Sequence, residues 1–525
     1  MNNERYPLEL AISVQDFTAS GWKDAIAQAT REGYSSMWQA LSAAARSTIE
    51  QGRIEHGKVL WLLADACSMM LSPSSPNEPF KPFAVFHDRR SVIPDDMPDS
   101  DILFFAAIVD LVNDDWLKAR LSDLVWLKGK PRNTSFALKA IDAYRCLPLD
   151  TDTWIHGGRD CWPRAISLAR MLKSGAGDRL QQMEASIVTA FNAATRDDGF
   201  LGLWLADLLK SNGLGRANRA DVARKLEVLA REFDCEGDLH RAREYFSVAT
   251  EWHKAIPDEV KAAEMTVAVA EGWVKEAVAR STSESLSHMV AASFYENAIQ
   301  TYRTVPRAER STHQVDERIA ELRAHLNDSG ERALGEMRLI QTSGVDITQL
   351  VENARKSGKS AQHALLAFAN LHRGVNAEEL RNRAQERMRQ YPLQSLFSAT
   401  VMSRDGRVIA KRPAMSLGGE ELTADDEIAI RAEMIRDYGI LVSIVVQGDI
   451  WPALEVLLLE HRLREADFIE LARHSPIVPK ERAGLFGKAL FAGYERDFVT
   501  ALHLLIPQIE HLVREHLKQA GAKTT

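Results

Sequence analysis

Apolar positions recur along most of this chain at the three- and four-residue spacing of a helix buried along one face. The pattern is clearest near the C-terminal end. There the apolar set runs Phe498, Leu502, Leu505, Ile509 and Leu512, widened by Val499, Ile506, Val513 and Leu517, which predicts a helix meant for burial. A polar stripe runs beside it. Arg496, Thr500, His503, Pro507, Glu510 and Arg514 step by four, three, four, three and four, so they are expected along one side of the same helix. Upstream, residues 21–71 read as three helical segments ending in an apolar run. Trp116, Leu117, Leu121, Leu124 and Leu127 mark another helix, which Gly129 and Pro131 end. Residues 73–101 lie between these segments, rich in Pro, Ser and Asp, and predict a long irregular surface connection that splits the N-terminal region.

Residues 134–340 read as helix hairpins stacked in succession. The stretches beginning at Gly237 and Val290 place small residues among aromatics (Ala242, Tyr245 and Phe246; Ala292, Phe294 and Tyr295) and each carries a late Pro, Pro257 or Pro306. This resembles the tetratricopeptide arrangement, but several copies do not phase at one period, and an irregular all-helical domain is the competing reading. Farther on the period changes once. Thr400–Met402 and Arg407–Ala410 flank Asp405-Gly406, which predicts a β-hairpin near residues 398–412. The expected architecture is mainly α and multidomain. It comprises an N-terminal helical domain (1–133), a middle array of tetratricopeptide-like hairpins (134–340) and a helical C-terminal domain (341–525) holding the hairpin.

Composition narrows the functional classes more than the fold. A net charge of -8 gives the whole chain no attraction to nucleic acid or an anionic membrane, so any such binding needs a local patch. Cys67, Cys146, Cys161 and Cys235 form no CxxC pair and no zinc spacing, which predicts reduced, mostly buried thiols in a cytoplasmic protein. The N-terminus MNNERYPLEL, with Glu4, lacks the apolar core of a signal peptide. The most membrane-like run, Tyr438–Leu459, contains Gln447, Asp449, Trp451 and Pro452 and reads as too interrupted to span a bilayer. No phosphate loop, dinucleotide fingerprint, HExxH or GxSxG occurs, so no cofactor or metal is expected.

The polar stripe carries the candidate chemistry. His503 lies two turns after Arg496, about 10 Å along a helix axis. Both then reach one phosphodiester, the Arg stabilising anionic charge and the His acting as general acid or base. Pro507 cannot donate to the His503 carbonyl, so a kink is expected there. Glu510 and Arg514 are spaced for an ion pair. Arg496, His503, Glu510 and Arg514 are the candidate catalytic residues; the competing reading is a structural polar seam between packed helices. Arg404, Arg407, Lys411 and Arg412 make the hairpin basic, with Arg381, Arg383, Arg387 and Arg389 just before it. That patch is either a phosphate-binding surface or ordinary charged surface, since no interleaved aromatic offers base stacking.

Phe486, Gly487, Gly493, Asp497, His503, Pro507, Gln508, Glu510 and Arg514 form a pattern, Phe-Gly, then Gly-x-x-x-Asp, then His-x-x-x-Pro-Gln-x-Glu-x-x-x-Arg. It resembles the C-terminal domain of a group of uncharacterised bacterial helical proteins, similar in style to HEPN domains. Many HEPN domains are metal-independent ribonucleases of toxin and phage-defence systems, with sites assembled across a two-fold dimer. In the resembling proteins the Arg-Asn-x-x-x-His motif lies past the position of Thr525, so the C-terminal domain is expected to be incomplete and no residue here inherits that role. Arg496-Asp497 with His503 is a loose form of the motif. Arg381-Asn382 opens like it, but Glu386 takes the histidine position and the segment reads as solvated helix surface.

Two functions are therefore expected. The first is an RNA-associated protein of a bacterial defence or stress response, with a ribonuclease-type end that works, if catalytic, as a metal-independent endoribonuclease. The second is a non-catalytic helical-repeat scaffold for a protein partner. The expected partners are a second copy, held through the C-terminal helices, and an RNA or a protein, with no membrane.

Overall fold

Tyr34–Glu50 (α1) and Ile54–Ser68 (α2) pack as a helical hairpin, and every residue of α2 from Gly57 to Cys67 is buried. A helix apolar on all sides finds neighbours on all sides. The structure is a computed structural model and describes the sequence except residues 1–4, 8, 30–32, 74, 87–88, 283–286, 338–344, 356–359, 373, 416–421 and 522–525. By internal contacts the chain forms two units, Met1–Ala333 and Leu334–Thr525. It is mainly α, as the periodicity predicts.

In the first unit, Met70–Leu71 (β1) pairs antiparallel with Phe80–Lys81 (β2), and Val85–Phe86 (β3) with Arg89–Arg90 (β4). The stretch expected to be an irregular connection thus holds two small ribbons and sends Phe80, Pro94 and Met97 into the interior. Two-residue strands leave no alternation to read, which is why the sequence shows only its Pro and Ser content. Asp99–Ile108 (α3), Asp115–Lys128 (α4), Thr134–Tyr144 (α5) and Arg159–Leu172 (α6) then pack in succession. Asp114 caps α4 by accepting from the Leu117 N–H at 2.8 Å. One apolar core runs from Tyr6 to Met265 without a break at residue 133.

Arg219–Glu236 (α7), Leu239–Ala255 (α8), Glu259–Thr282 (α9) and His288–Arg303 (α10) each pack against the next. Ala263, Ala270, Tyr295, Tyr302 and Leu322 belong to a second core, to which Val315–Glu336 (α11) contributes. Cys67 and Cys161 are buried, as expected, and burial pushes both thiols up to about 12; Cys146 and Cys235 are exposed.

In the second unit, Ala377–Gln390 (α12) precedes the predicted hairpin, Ala399–Met402 (β5) paired with Val408–Arg412 (β6). The Gly406 N–H donates to the Ser403 carbonyl at 3.0 Å and Gly406 takes the left-handed conformation (φ 78°) that closes the turn. Ala424–Val445 (α13) begins at a capping box between Thr423 and Asp426 and continues through a π turn, Val446–Ile450, into Trp451–Glu460 (α14). Gln447 and Asp449 fall in the π turn and Pro452 in the first turn of α14, so the helix runs on through them. Ala424–Glu460 is long and apolar enough to cross a membrane, with a mean hydropathy of 1.6 in its most apolar window. Within it Glu433 and Asp437 are ion-paired to Arg412 and Arg387. Glu465–His474 (α15), Ala483–Tyr494 (α16) and Phe498–Gln519 (α17) complete the unit.

Candidate functional site

The residues of the C-terminal pattern serve mostly to build the α15–α16–α17 arrangement. Phe486 packs with Ala472 and Ala483. Gly487 lies where α16 meets α15 so closely that a Cβ would stand 2.5 Å from the Ile469 Cα. At the α16–α17 corner the Arg496 N–H donates to the Gly493 carbonyl at 3.1 Å and the Asp497 N–H to the Ala492 carbonyl at 2.9 Å. Asp497 then caps α17, accepting from the Thr500 N–H at 3.2 Å. Arg496 sits in this corner with φ 65°. It is therefore a turn residue and does not share a helix side with His503, as the spacing predicted; its guanidinium rests 5.2 Å over the Trp451 ring.

The rest of the stripe lies on α17 and faces outward. His503 is exposed, with Nδ1 2.8 Å from the Val499 carbonyl oxygen. Glu510 and Arg514 form the predicted ion pair at 2.6 Å, also exposed. Pro507 leaves α17 a single helix.

The apolar stripe of α17 is not buried, and this corrects the sequence reading. Val499 is 71 % exposed, Leu502 53 % and Ile506 59 %, and Phe498, Ile509, Val513 and Leu517 are each close to half exposed. The packed side instead carries Ala501 and Gln508, with Leu505 and Leu512 partly buried against Phe486. At about 100° per residue the exposed stripe is turned roughly a third of a turn from that side. Periodicity shows that a face is apolar but not how many neighbours the fold supplies to cover it.

The basic hairpin is largely compensated. Arg404 and Arg407 are exposed, Arg407 with Asp405 at 3.2 Å, and Lys411 is exposed on β6. Arg412 is a structural residue: its side chain is nearly buried, paired with Glu433 at 3.2 Å and donating to the Phe397 carbonyl at 3.2 Å. Of the upstream arginines, Arg381 is paired with Glu427 and Arg387 with Asp437.

The first unit holds a site that the sequence reading missed. A cavity of about 310 Å³ opens between α1, the end of α2, the ribbons and the irregular helical turn Trp154–Gly158. Tyr34, Trp38, Met69, Leu71, Phe83 and Val92 supply apolar wall. Arg120 of α4 also lines it, only 1 % exposed, with its guanidinium 3.8 Å over the Tyr34 ring and 4.8 Å over Phe80. Nη1 donates to the Met69 carbonyl at 2.9 Å, while Nε has no acceptor. Among the described residues no carboxylate lies within 4.0 Å of it. Arg5 and Asp65, paired at 2.9 Å, Asp160, with Arg159 at 3.8 Å, and His156 also line the cavity. Burial raises the Asp160 carboxyl, and Arg159 and Arg120 oppose that shift. The signal was present in the sequence: Arg120 falls three residues after Leu117 and four before Leu124, on the apolar side of its helix.

The region around this cavity is the part of the chain with a recognisable relationship. Residues 7–181 match a family described as a domain of unknown function, DUF7380. Every residue named in the cavity except Arg5 falls inside the DUF7380 region. No curated protein and no solved structure matches the chain.

Proposed function

We propose that this chain is a non-catalytic helical scaffold whose protein partner is a second copy of itself, joined through α17. The observation that carries this is the spacing of the exposed stripe. Phe498, Leu502, Ile506, Ile509, Val513 and Leu517 step by four, four, three, four and four, the same in either direction. Two antiparallel copies of the helix therefore set Phe498 level with Leu517, Leu502 with Val513 and Ile506 with Ile509, in a two-fold pairing. Knobs of similar size meet at every level, as at a helix-bundle seam. A helix of this length runs about 33 Å. Such a pair buries on the order of 1,000 Å² in total, the low end for a specific interface, so micromolar association is expected.

The test is light scattering of the full chain beside Ile506→Glu/Ile509→Glu. The expected result is a dimer that the double substitution makes monomeric with its helix content unchanged. Ile506→Cys/Ile509→Cys is expected to cross-link on oxidation, whereas Val499→Cys alone is not. A monomer at high micromolar concentration overturns the reading.

One observation favours the ribonuclease reading as a second. In the same pairing His503 of one copy is level with residue 512 of the other, midway between Glu510 and Arg514, and all three lie on one side of the seam. A general acid or base beside a cation from another copy is an arrangement that suits phosphodiester cleavage. RNA cleavage by the purified chain, lost in His503→Ala and in Arg514→Ala, is the expected result. Equal activity in all three, or none in any, removes this reading.

A further inference from the structure

We infer that the cavity over Arg120 is a binding site for a small organic monocarboxylate with an apolar body. The contrast with a neighbouring arginine on the same core carries the inference. Arg164 is also buried, but it is matched by Asp123 through two hydrogen bonds of 2.9 and 2.8 Å. Arg120 has aromatic faces and one carbonyl, and Nε points at no acceptor. A guanidinium without a counter-charge in an apolar interior is costly, and an arginine presents a planar donor fork that fits a carboxylate. The space beside it is of ligand size, at the lower end for small-molecule sites.

The other charges set the charge of the ligand. Asp65 is already matched by Arg5, and Asp160, on the wall near Arg120, has Arg159 at 3.8 Å. With Asp65 set against Arg5 and Asp160 against Arg159, Arg120 is the cation left to take one negative charge, while a dianion meets repulsion from Asp160. Trp38 and Phe83, stacked with ring centroids 6.5 Å apart, and Met69 offer the surface for the apolar body. The wall opposite is the turn at Gly157 (φ 124°), a π-type irregularity of the kind often found at binding sites.

The probes are phenylacetate, phenylacetamide and 2-phenylethylammonium, titrated calorimetrically into the full chain. The acid is expected to bind at least about tenfold more tightly than the amide, the worth of a charge-assisted pair, and the amine not at all. Arg120→Met is expected to abolish the preference for the acid. Met70→Trp, at the half-exposed rim, keeps Arg120 and the core and is expected to block binding, so the inference stands or falls even if Arg120→Met does not fold. Equal binding of acid and amide, no binding of the acid, preference for the amine, or unchanged binding in Met70→Trp each overturns it.

Discussion

Arg164 and Asp123 are held together by two hydrogen bonds with neither side chain exposed to water, and the Tyr144 hydroxyl donates to the same carboxylate at 3.1 Å. Arg164 also donates to the Pro76 carbonyl at 3.1 Å, which ties α6 to the loop between β1 and β2. Asp123→Ala strands a buried cation and is expected to destabilise the first unit by about 3–5 kcal/mol. Asp123→Leu with Arg164→Met removes both charges and is expected to recover most of that loss. Chemical denaturation followed by tryptophan fluorescence reads both.

Burial raises the carboxyl of Asp101 above its ordinary value of 3.8, with Lys58 opposing the shift. A raised carboxyl adds stability below its ordinary range and loses it as pH climbs through the raised value, because the ionised form is then forced into the interior. Asp101→Asn is therefore expected to stabilise the protein at neutral pH. That gain should shrink as pH falls through the raised value and vanish below 3.8. Thermal unfolding as a function of pH checks it, and a gain constant with pH contradicts it.

Gly487→Ala places a Cβ 2.5 Å from the Ile469 backbone, which has no flexible end to move aside. The expected cost is about 1–3 kcal/mol in the second unit. Gly484→Ala, three residues earlier with nothing within 4 Å, should be neutral or slightly stabilising. Denaturation of both variants in parallel separates close packing from helix propensity.

Arg412 and Arg404 belong to one basic stretch but differ in surroundings. Arg412→Ala leaves Glu433 to Arg436, 2.6 Å away, and removes the bond to the Phe397 carbonyl, so it is expected to lower stability by about 1 kcal/mol, while Arg404→Ala and Arg407→Ala should change it by less than about 0.5 kcal/mol. If the hairpin contacts RNA, the latter two weaken binding and flatten its salt dependence without altering the fold. Filter binding across a salt series measures that effect.

Most of the local structure was legible in the residues. The helical period located α4, the hairpin helices and α17, Asp405-Gly406 located β5 and β6, and the Glu510–Arg514 spacing anticipated the pair that forms. The small ribbons at residues 70–90 were not legible because strands of two residues carry no pattern. Arg496 was misplaced by one feature, its left-handed backbone, which a spacing count does not register.

By itself the sequence determined which stretches are helical and which faces are apolar, since these follow from backbone hydrogen bonding and side-chain period. The tertiary structure alone decided which of those faces are covered. It buried α4 on every side, leaving Arg120 beside a cavity and matching Arg164 with Asp123, and it left the apolar stripe of α17 open. Burial depends on what the rest of the chain brings alongside a helix, and that is a property of packing between elements distant in sequence.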